Sequence, residues 1–331
     1  MSSVLTWGPT VAPSPPPDLD PADGLQPIVD AITHGQVYEL GAGVFYADPG
    51  DPTVPLVIGD SAYGLVLRGQ AQDDTFIGSP ILIQTGRIGL ERLWVRADGC
   101  DYGVKMEGQP TFRSRCHFDN IAIGASSKAA AQAGLGPRDG LIMDGFGVFL
   151  AHKTTVAFNR RHGLVVDSTP GGSNQPNTTL KFDMCSFVQN GFGPAETEGI
   201  GIKLLGSCSI AEFNGGNSEG NKYGEAYCES MNNPRFRDFD FETSEPMTNA
   251  VWFLQCNPGI IDGCNFLTVP GGATRAISVE QCEGFTITGN RFAGWGHVGV
   301  VRISEGGFNN RYFGNVINGD LNYGFFEDYS R

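Results

Sequence analysis

Ala250-Val-Trp-Phe-Leu-Gln-Cys256 and Ala276-Ile-Ser-Val-Glu-Gln-Cys282 are two copies of one pattern. Each opens on a small residue, continues as an apolar strand and reaches Gln-Cys at the same offset. Behind each comes a second apolar strand and a turn with Asn: Ile260 to Asn265 and Phe266, then Phe285 to Asn290 and Phe292. A third copy, Gly299-Val-Val-Arg-Ile303, has Asn315 and Ile317 behind it. Asn265, Asn290 and Asn315 are spaced 25 residues apart. A fixed period of roughly 20 to 50 residues marks a solenoid or an array. Asn at matching turns tolerates left-handed backbone and can bond to the Asn above and below.

The register runs backward through the chain. A small residue followed by an apolar run begins at Gly103, Gly140, Gly163, Gly201, Gly224, Ala250, Ala276, Gly299 and Gly324, at intervals of 23 to 38 residues. The segments between are short, rich in Val, Ile and Phe, and broken by Gly, Asn, Asp and Pro, which is strand-and-turn punctuation. Some 25 residues per interval hold three short strands and three turns and leave no room for a crossover helix. The expected fold is therefore all-β: one right-handed parallel β-helix of about ten coils, each stacked at roughly 4.8 Å on the last. The longer intervals predict insertions at 125–139, 168–178 and 191–199, and loops inserted in a repeat fold gather on one side, often the binding side.

Composition narrows the function classes. The 331 residues contain 47 glycines, only 18% are charged, and the formal net charge is −14. Many tight turns and uncharged ladders suit that balance. An acidic chain lacks the Lys and Arg clusters that phosphate backbones require, which argues against nucleic acid as a partner. No apolar run approaches the 18 residues needed to span a bilayer, so no membrane insertion is expected. The opening Met1-Ser-Ser-Val-Leu-Thr-Trp7 has no basic region followed by an apolar run, so no secretory signal is read there. The eight cysteines have no CxxC spacing, which speaks against zinc. Cys256 and Cys282 share a register close enough for a disulfide. The reading preferred for them is buried thiols acting as small hydrophobes.

Two domain segments are expected. Residues 1–19 include Val11-Ala-Pro-Ser-Pro-Pro-Pro17 and read as an extended, proline-rich arm suited to attachment. Residues 20–331 form the β-helix. Its first element, 20–35, has Asp20, Pro21 and Asp23 at a helix start, an apolar face of Leu25, Ile28, Val29 and Ile32, and Gly35 as a stop. A solenoid exposes an apolar coil at each end, so this helix is expected to be its N-terminal cap. Phe325 and Phe326 would leave the other end apolar unless a partner subunit covers it.

The stretches Gln36-Val-Tyr-Glu-Leu-Gly-Ala-Gly-Val-Phe-Tyr46, Gly64-Leu-Val-Leu-Arg-Gly-Gln70 and Thr75-Phe-Ile-Gly78 follow that helix as paired strands. Together, residues 20–80 resemble the N-terminal part of the pectate-lyase-like parallel β-helix superfamily, which includes bacteriophage tailspikes. The pattern departs at Leu40, which Gly41 follows where the superfamily has Pro. The resemblance implies the fold. For activity it implies a set, because the superfamily contains lyases, hydrolases, epimerases and spikes without catalysis.

Three groups of residues are candidates for chemistry. Glu107, Asp144 and Asp167 each stand four residues after a register glycine, which would put three carboxylates on successive coils about 5 Å apart. Carboxylates so spaced serve glycoside hydrolysis or bind a cation such as calcium. A one-residue slip would scatter them. No cofactor or dedicated metal site is otherwise read. Arg160, Arg161 and His162, with Lys105 and Lys203, would supply the base and the carboxylate-neutralising cations of a β-eliminating lyase, or else form an exposed basic turn. Trp252, two residues into its strand, points outward and could stack on a sugar; Tyr223, Tyr227 and Trp295 are further rings of that kind. His297 in Gly296-His-Val-Gly299 carries only a faint hydrolase-like signature.

With the resemblance, these features lead to the expectation of a bacteriophage virion spike, a homotrimer fixed to the particle by its N-terminal arm, that binds bacterial surface polysaccharide, with its depolymerisation left open. A free-standing polysaccharide lyase, hydrolase or epimerase, and a structural virion decoration, are the other classes the sequence leaves open.

Overall fold

The computed structural model describes residues 20–32, 35–107, 115–145, 147–168, 179–206, 208–269, 272–294, 300–304, 309–318 and 326–329. The proline-rich arm, Trp295, His297, Phe325, most of the 168–178 insertion and the side chain of Phe326 lie outside the described residues.

Every strand pairing is parallel, and each strand pairs with the equivalent strand one coil away, as in Val37–Leu40 with Val66–Gly69. One sheet has 11 strands, from Leu56–Ile58 to Phe326–Tyr329. A second has 20, of which Thr179–Val188 and Ala211–Glu219 each run through two ladders, so that it too supplies eleven rungs per ladder. The described residues form a parallel β-helix of three ladders and eleven coils, against about ten expected from the sequence.

Short strands of alternating burial make the ladders. Ile81–Ile83 is the pattern in miniature, with Ile81 and Ile83 buried and Leu82 half-buried between them. Inside the coil the apolar side chains stack on their equivalents. Phe118, Phe149, Phe182, Phe213 and Phe236 form one column with ring centroids 4.7 to 5.4 Å apart. Phe241, Phe266 and Phe292 form another at 4.9 Å. Dispersion summed along such columns, together with area removed from water, is the main stabilising term.

The Gln-Cys motif marks a corner. Gln255 and Gln281 take the left-handed region, with φ of 55° and 53°, and turn the chain outward of the core. Their side chains stack, the Gln255 Nε2 donating to Gln281 Oε1 at 2.8 Å. The following Cys256 and Cys282 point inward, the Cys256 N–H meeting Cys282 Sγ at 3.2 Å. All eight cysteines are free and buried, so they pack as thiols.

Three details differ from the sequence reading. First, the expected helix 20–35 is a 3-10 turn, Pro21–Asp23, and a short helix α1, Gln26–Ala31. Gly24 separates them at φ 122°, where a Cβ would come within 2.8 Å of the Ala47 carbonyl. The cap itself is in place: Leu25, Ile28, Val29 and Ile32 are buried. Gln26 accepts from Val57 N–H at 2.8 Å and donates to Val57 O at 3.0 Å, doing for the first strand what a neighbouring strand would do. Second, Gly224 is one residue out of register, and Gly299 lies outside the described residues. Ile202 pairs with Ala226 and Ile277 with Val301, so Glu225 and Val300 stand in the glycine column. Third, Asn265 pairs with Arg291 and faces outward, bonding Asp240 at 2.7 Å, while Asn290 and Asn315 do stack inside, Asn290 donating to Asn315 Oδ1 at 3.0 Å.

Candidate functional site on the eleven-stranded sheet

The outer face of the 11-stranded sheet carries two columns of side chains. Glu107 pairs with Asp144 and Asp144 with Asp167, so the three carboxylates lie on successive coils in one column, at the roughly 4.8 Å spacing of a ladder. All three are half-buried. Gln84 precedes the column, donating to Glu107 at 3.1 Å, and Leu205, opposite Asp167, ends it. Two residues earlier in the strands runs the second column. It includes Lys105, Ile142, Val165, Lys203, Tyr227 and Trp252.

The basic residues are drawn into local pairs. Lys105 Nζ meets Glu107 Oε1 at 2.5 Å, and this contact is the first reason the Glu107 carboxyl sits below its ordinary range. Lys203 Nζ meets Glu198 at 3.1 Å and holds that carboxyl down in the same way. Arg161 grips Asp139 through both carboxylate oxygens, at 2.9 and 2.5 Å. Arg160 donates to the carbonyls of Gly136, Gly99 and Cys100, at 3.1, 3.2 and 2.7 Å, and so braces two loops rather than facing the columns.

His162 is 1% exposed. Burial lowers its pKa to about 4, so it is neutral at physiological pH. Its Nδ1 accepts the Ile200 N–H at 3.2 Å. The ring proton is then on Nε2, which lies 3.3 Å from Glu198 Oε2. With its one lone pair occupied, the ring orients Glu198 and the strand edge at Ile200. Sequence inspection singled out His162 and passed over Glu198, which lies inside an insertion with no periodic mark.

Trp252 is half-buried beside Tyr227, the ring centroids 5.1 Å apart and 64° to each other. Tyr227 donates to Glu229 at 2.8 Å. The pair continues the face beyond the carboxylates, from the coil after Lys203.

Two insertions wall this face on the side where its strands begin. The 125–139 insertion contains helix α2, Lys128–Gln132, whose N-terminus Ser127 caps through Ala130 N–H at 3.2 Å. Lys128 reaches Glu245 at 2.8 Å and lies 3.7 Å from the Phe192 ring centroid, and Arg138 meets Glu196 at 2.9 and 3.3 Å. The insertions at 125–139 and 191–199 are thus tied to each other. Among the described residues, no three His, Cys, Asp or Glu side chains converge as a metal site.

A second feature escaped the sequence reading. Asn159, Asn190 and Asn221 stack at a buried corner behind the 191–199 insertion. Asn159 donates through N and Nδ2 to Asn190 Oδ1 at 3.1 and 2.8 Å, and Asn190 does the same to Asn221 Oδ1 at 2.9 and 2.8 Å. Their equal spacing of 31 residues is the signal in the sequence, and it differs from the period near 25 of the later coils.

No protein-family model and no curated protein sequence matches the chain. Among solved structures it is similar to ORF18 of Geobacillus virus E2, at 12% identity and a TM-score of 0.46, over 90% of this chain and 58% of that one. It is similar to the catalytic unit of a thermostable GH87 alpha-1,3-glucanase from Streptomyces thermodiastaticus, at 10% identity and 0.45, over 92% and 65%. The mannuronan C-5 epimerase AlgE4 A-module of Azotobacter vinelandii is similar at 14% and 0.46, over 87% and 91%. The chain spans under two thirds of the first two of these. By its own strand pairing, it has the parallel β-helix architecture that its resemblance to the pectate-lyase-like superfamily implies.

Proposed function

We propose that the protein is a bacteriophage spike that binds bacterial surface polysaccharide on the outer face of the 11-stranded sheet and hydrolyses it there. The observation that carries this reading is the register of Glu107, Asp144 and Asp167 on one face, beside insertions tied to each other. Glycoside hydrolysis takes a pair of carboxyl groups flanking the scissile bond, one as general acid and the other as nucleophile or base, and a column of three supplies such a pair. Tyr227 and Trp252 extend the face for further sugar units.

Hydrolysis fits better than β-elimination. An eliminating enzyme needs a cation for the uronate carboxylate and a base at the adjacent carbon. Here Lys105, Lys203 and Arg161 are each matched by a carboxylate, and His162 is sealed by the Ile200 N–H. The spike assignment, its trimeric state and attachment through residues 1–19 rest on the sequence resemblance and on the composition of that arm.

The test is incubation with polysaccharides from a panel of candidate bacterial hosts, scored for new reducing ends. Cleavage by the wild type should fall at least a hundredfold in Asp144→Asn or Asp167→Asn, the scale on which a catalytic carboxylate acts. Cleavage that survives both substitutions would remove the column from the chemistry. The absence of binding or cleavage across the panel would remove the function.

A further inference from the structure

A carboxyl group outside that face lies at the end of the asparagine ladder. Glu225 is 0% exposed and stands in the column where the four preceding coils have Gly103, Gly140, Gly163 and Gly201. A side chain at Gly201 would overlap Ser218 Oγ and Asn221 Nδ2. The column is empty of side chains where the asparagines occupy the corner, and Glu225 fills it where the ladder stops. The next corner position holds Ser244 rather than Asn, by the pairing of Glu219 with Glu242. The Glu225 carboxyl takes over the acceptor role: Asn221 N–H donates to Oε1 at 3.3 Å and Asn221 Nδ2 to Oε2 at 2.5 Å.

We propose that Glu225 is held as a neutral carboxylic acid that closes the Asn159–Asn190–Asn221 ladder, and that its ionisation is a pH-driven release of the corner behind the 191–199 insertion. The hydrogen bonds assign the proton. Ser218 Oγ lies 2.9 Å from Glu225 O and 2.9 Å from Glu225 Oε2. A hydroxyl has one hydrogen to give. Given to the backbone carbonyl, it leaves Ser218 Oγ as an acceptor, from Asn221 Nδ2 at 3.0 Å and from a proton on the carboxyl at Oε2. The neutral form thus uses both contacts of Ser218 with Glu225, whereas the ionised form, an acceptor only, leaves one of the two without a hydrogen.

The surroundings agree. Gly201 from the preceding coil, Ser218 and Asn221 from its own, and Ala250 from the next are uncharged neighbours. Glu219 is the charged group that acts on Glu225, and its negative charge opposes ionisation. Burial is the larger cause, and together they raise the carboxyl to about 8. The release reaches the insertion because the same corner holds it: Gly191 N–H donates to Asn159 O at 3.0 Å, Lys222 N–H to Asn190 O at 3.0 Å and Tyr223 N–H to Gly199 O at 2.8 Å.

The experiment is urea unfolding of the full chain across pH, wild type against Glu225→Gln. Gln keeps the shape and a donor for Ser218 but cannot ionise. An unfolded Glu ionises near its ordinary 4.5, the folded one near 8. Between those values the unfolding constant of the wild type should rise about tenfold per pH unit relative to the variant, then level off above 8, as one linked proton requires. A ratio that stays flat over this window overturns the proposal. If Glu225→Gln does not fold, infrared spectroscopy of the wild type replaces it. A protonated-carboxyl band present at neutral pH and lost near pH 8 supports the assignment, and its absence at neutral pH overturns it.

Discussion

A side-chain amide that serves two coils at once is hard to replace. Asn190 accepts two hydrogen bonds from Asn159 and donates to Asn221 Oδ1 and to Val156 O, all in the interior. Removing it leaves buried donors without acceptors, at about 1–3 kcal/mol each. Asn190→Ala should therefore lower stability by about 3 kcal/mol in urea unfolding. Asn265→Ala, at the half-buried start of a strand with Asp240 as its side-chain partner, should lose less than about 1 kcal/mol. Equal losses would mean that the ladder adds nothing beyond ordinary turn preference. Charge at the residue scale has its own signature in acid. Glu91 accepts from His117 and from Arg68, at 3.1 and 2.7 Å, and with the His117 bond as the largest cause its carboxyl is held at about 2. A depressed carboxyl stabilises the fold above its unfolded value and loses that contribution as pH falls through the folded one. The stability difference between wild type and Glu91→Gln should hold above about 4.5 and shrink to nothing towards pH 2, measured by urea midpoints.

At the scale of elements, the insertions beside the carboxylate face are tied to each other by a partly exposed ion pair. Arg138 is 42% exposed where it meets Glu196, and an exposed ion pair contributes about 0–1 kcal/mol. Arg138→Ala should leave the global unfolding midpoint nearly unchanged while limited proteolysis within 125–139 becomes faster; a drop in global stability with no local cleavage would place the pair in the core framework instead. The difference between core and insertion also explains what the sequence could show. Strands repeat because each coil must offer the same inward side chains to its neighbours, so Ala250-Val-Trp-Phe-Leu and Ala276-Ile-Ser-Val-Glu betray the ladder, and the register of Glu107, Asp144 and Asp167 followed from the glycines before them. Corners keep such a count only over short stretches, as Asn159, Asn190 and Asn221 do at 31 residues. A single residue added or removed at a turn is absorbed locally, which moved Glu225 rather than Gly224 into line and sent Asn265 outward. Partners such as Glu198 for Lys203, or three carbonyls for Arg160, depend on where a loop folds back, and no spacing in the sequence encodes that.

The molecule as a whole is a stack in which each coil touches only the coils beside it, so its stability is close to a sum of coil and interface terms. The phenylalanine column makes the consequence measurable. Phe213 is fully buried, with Phe182 and Phe236 stacked on either side at 4.7 and 4.8 Å. Replacing it with Ala removes both contacts and opens a cavity that neighbouring coils, fixed by their own ladders, cannot close, for a loss of about 3–5 kcal/mol. In a globular core that loss would spread over one cooperative unit. Here it should concentrate. Hydrogen exchange in Phe213→Ala should quicken most in Thr179–Val188, Ala211–Glu219, Pro234–Arg237 and Asp240–Thr243, the strands that pack against the gap. Val37–Leu40 and Val66–Gly69, five or more coils away, should keep their protection, because Gln26 and the buried face of α1 close that end independently. A uniform rise along the chain would show that the coils unfold as one body and that the nearest-neighbour account of this solenoid is wrong.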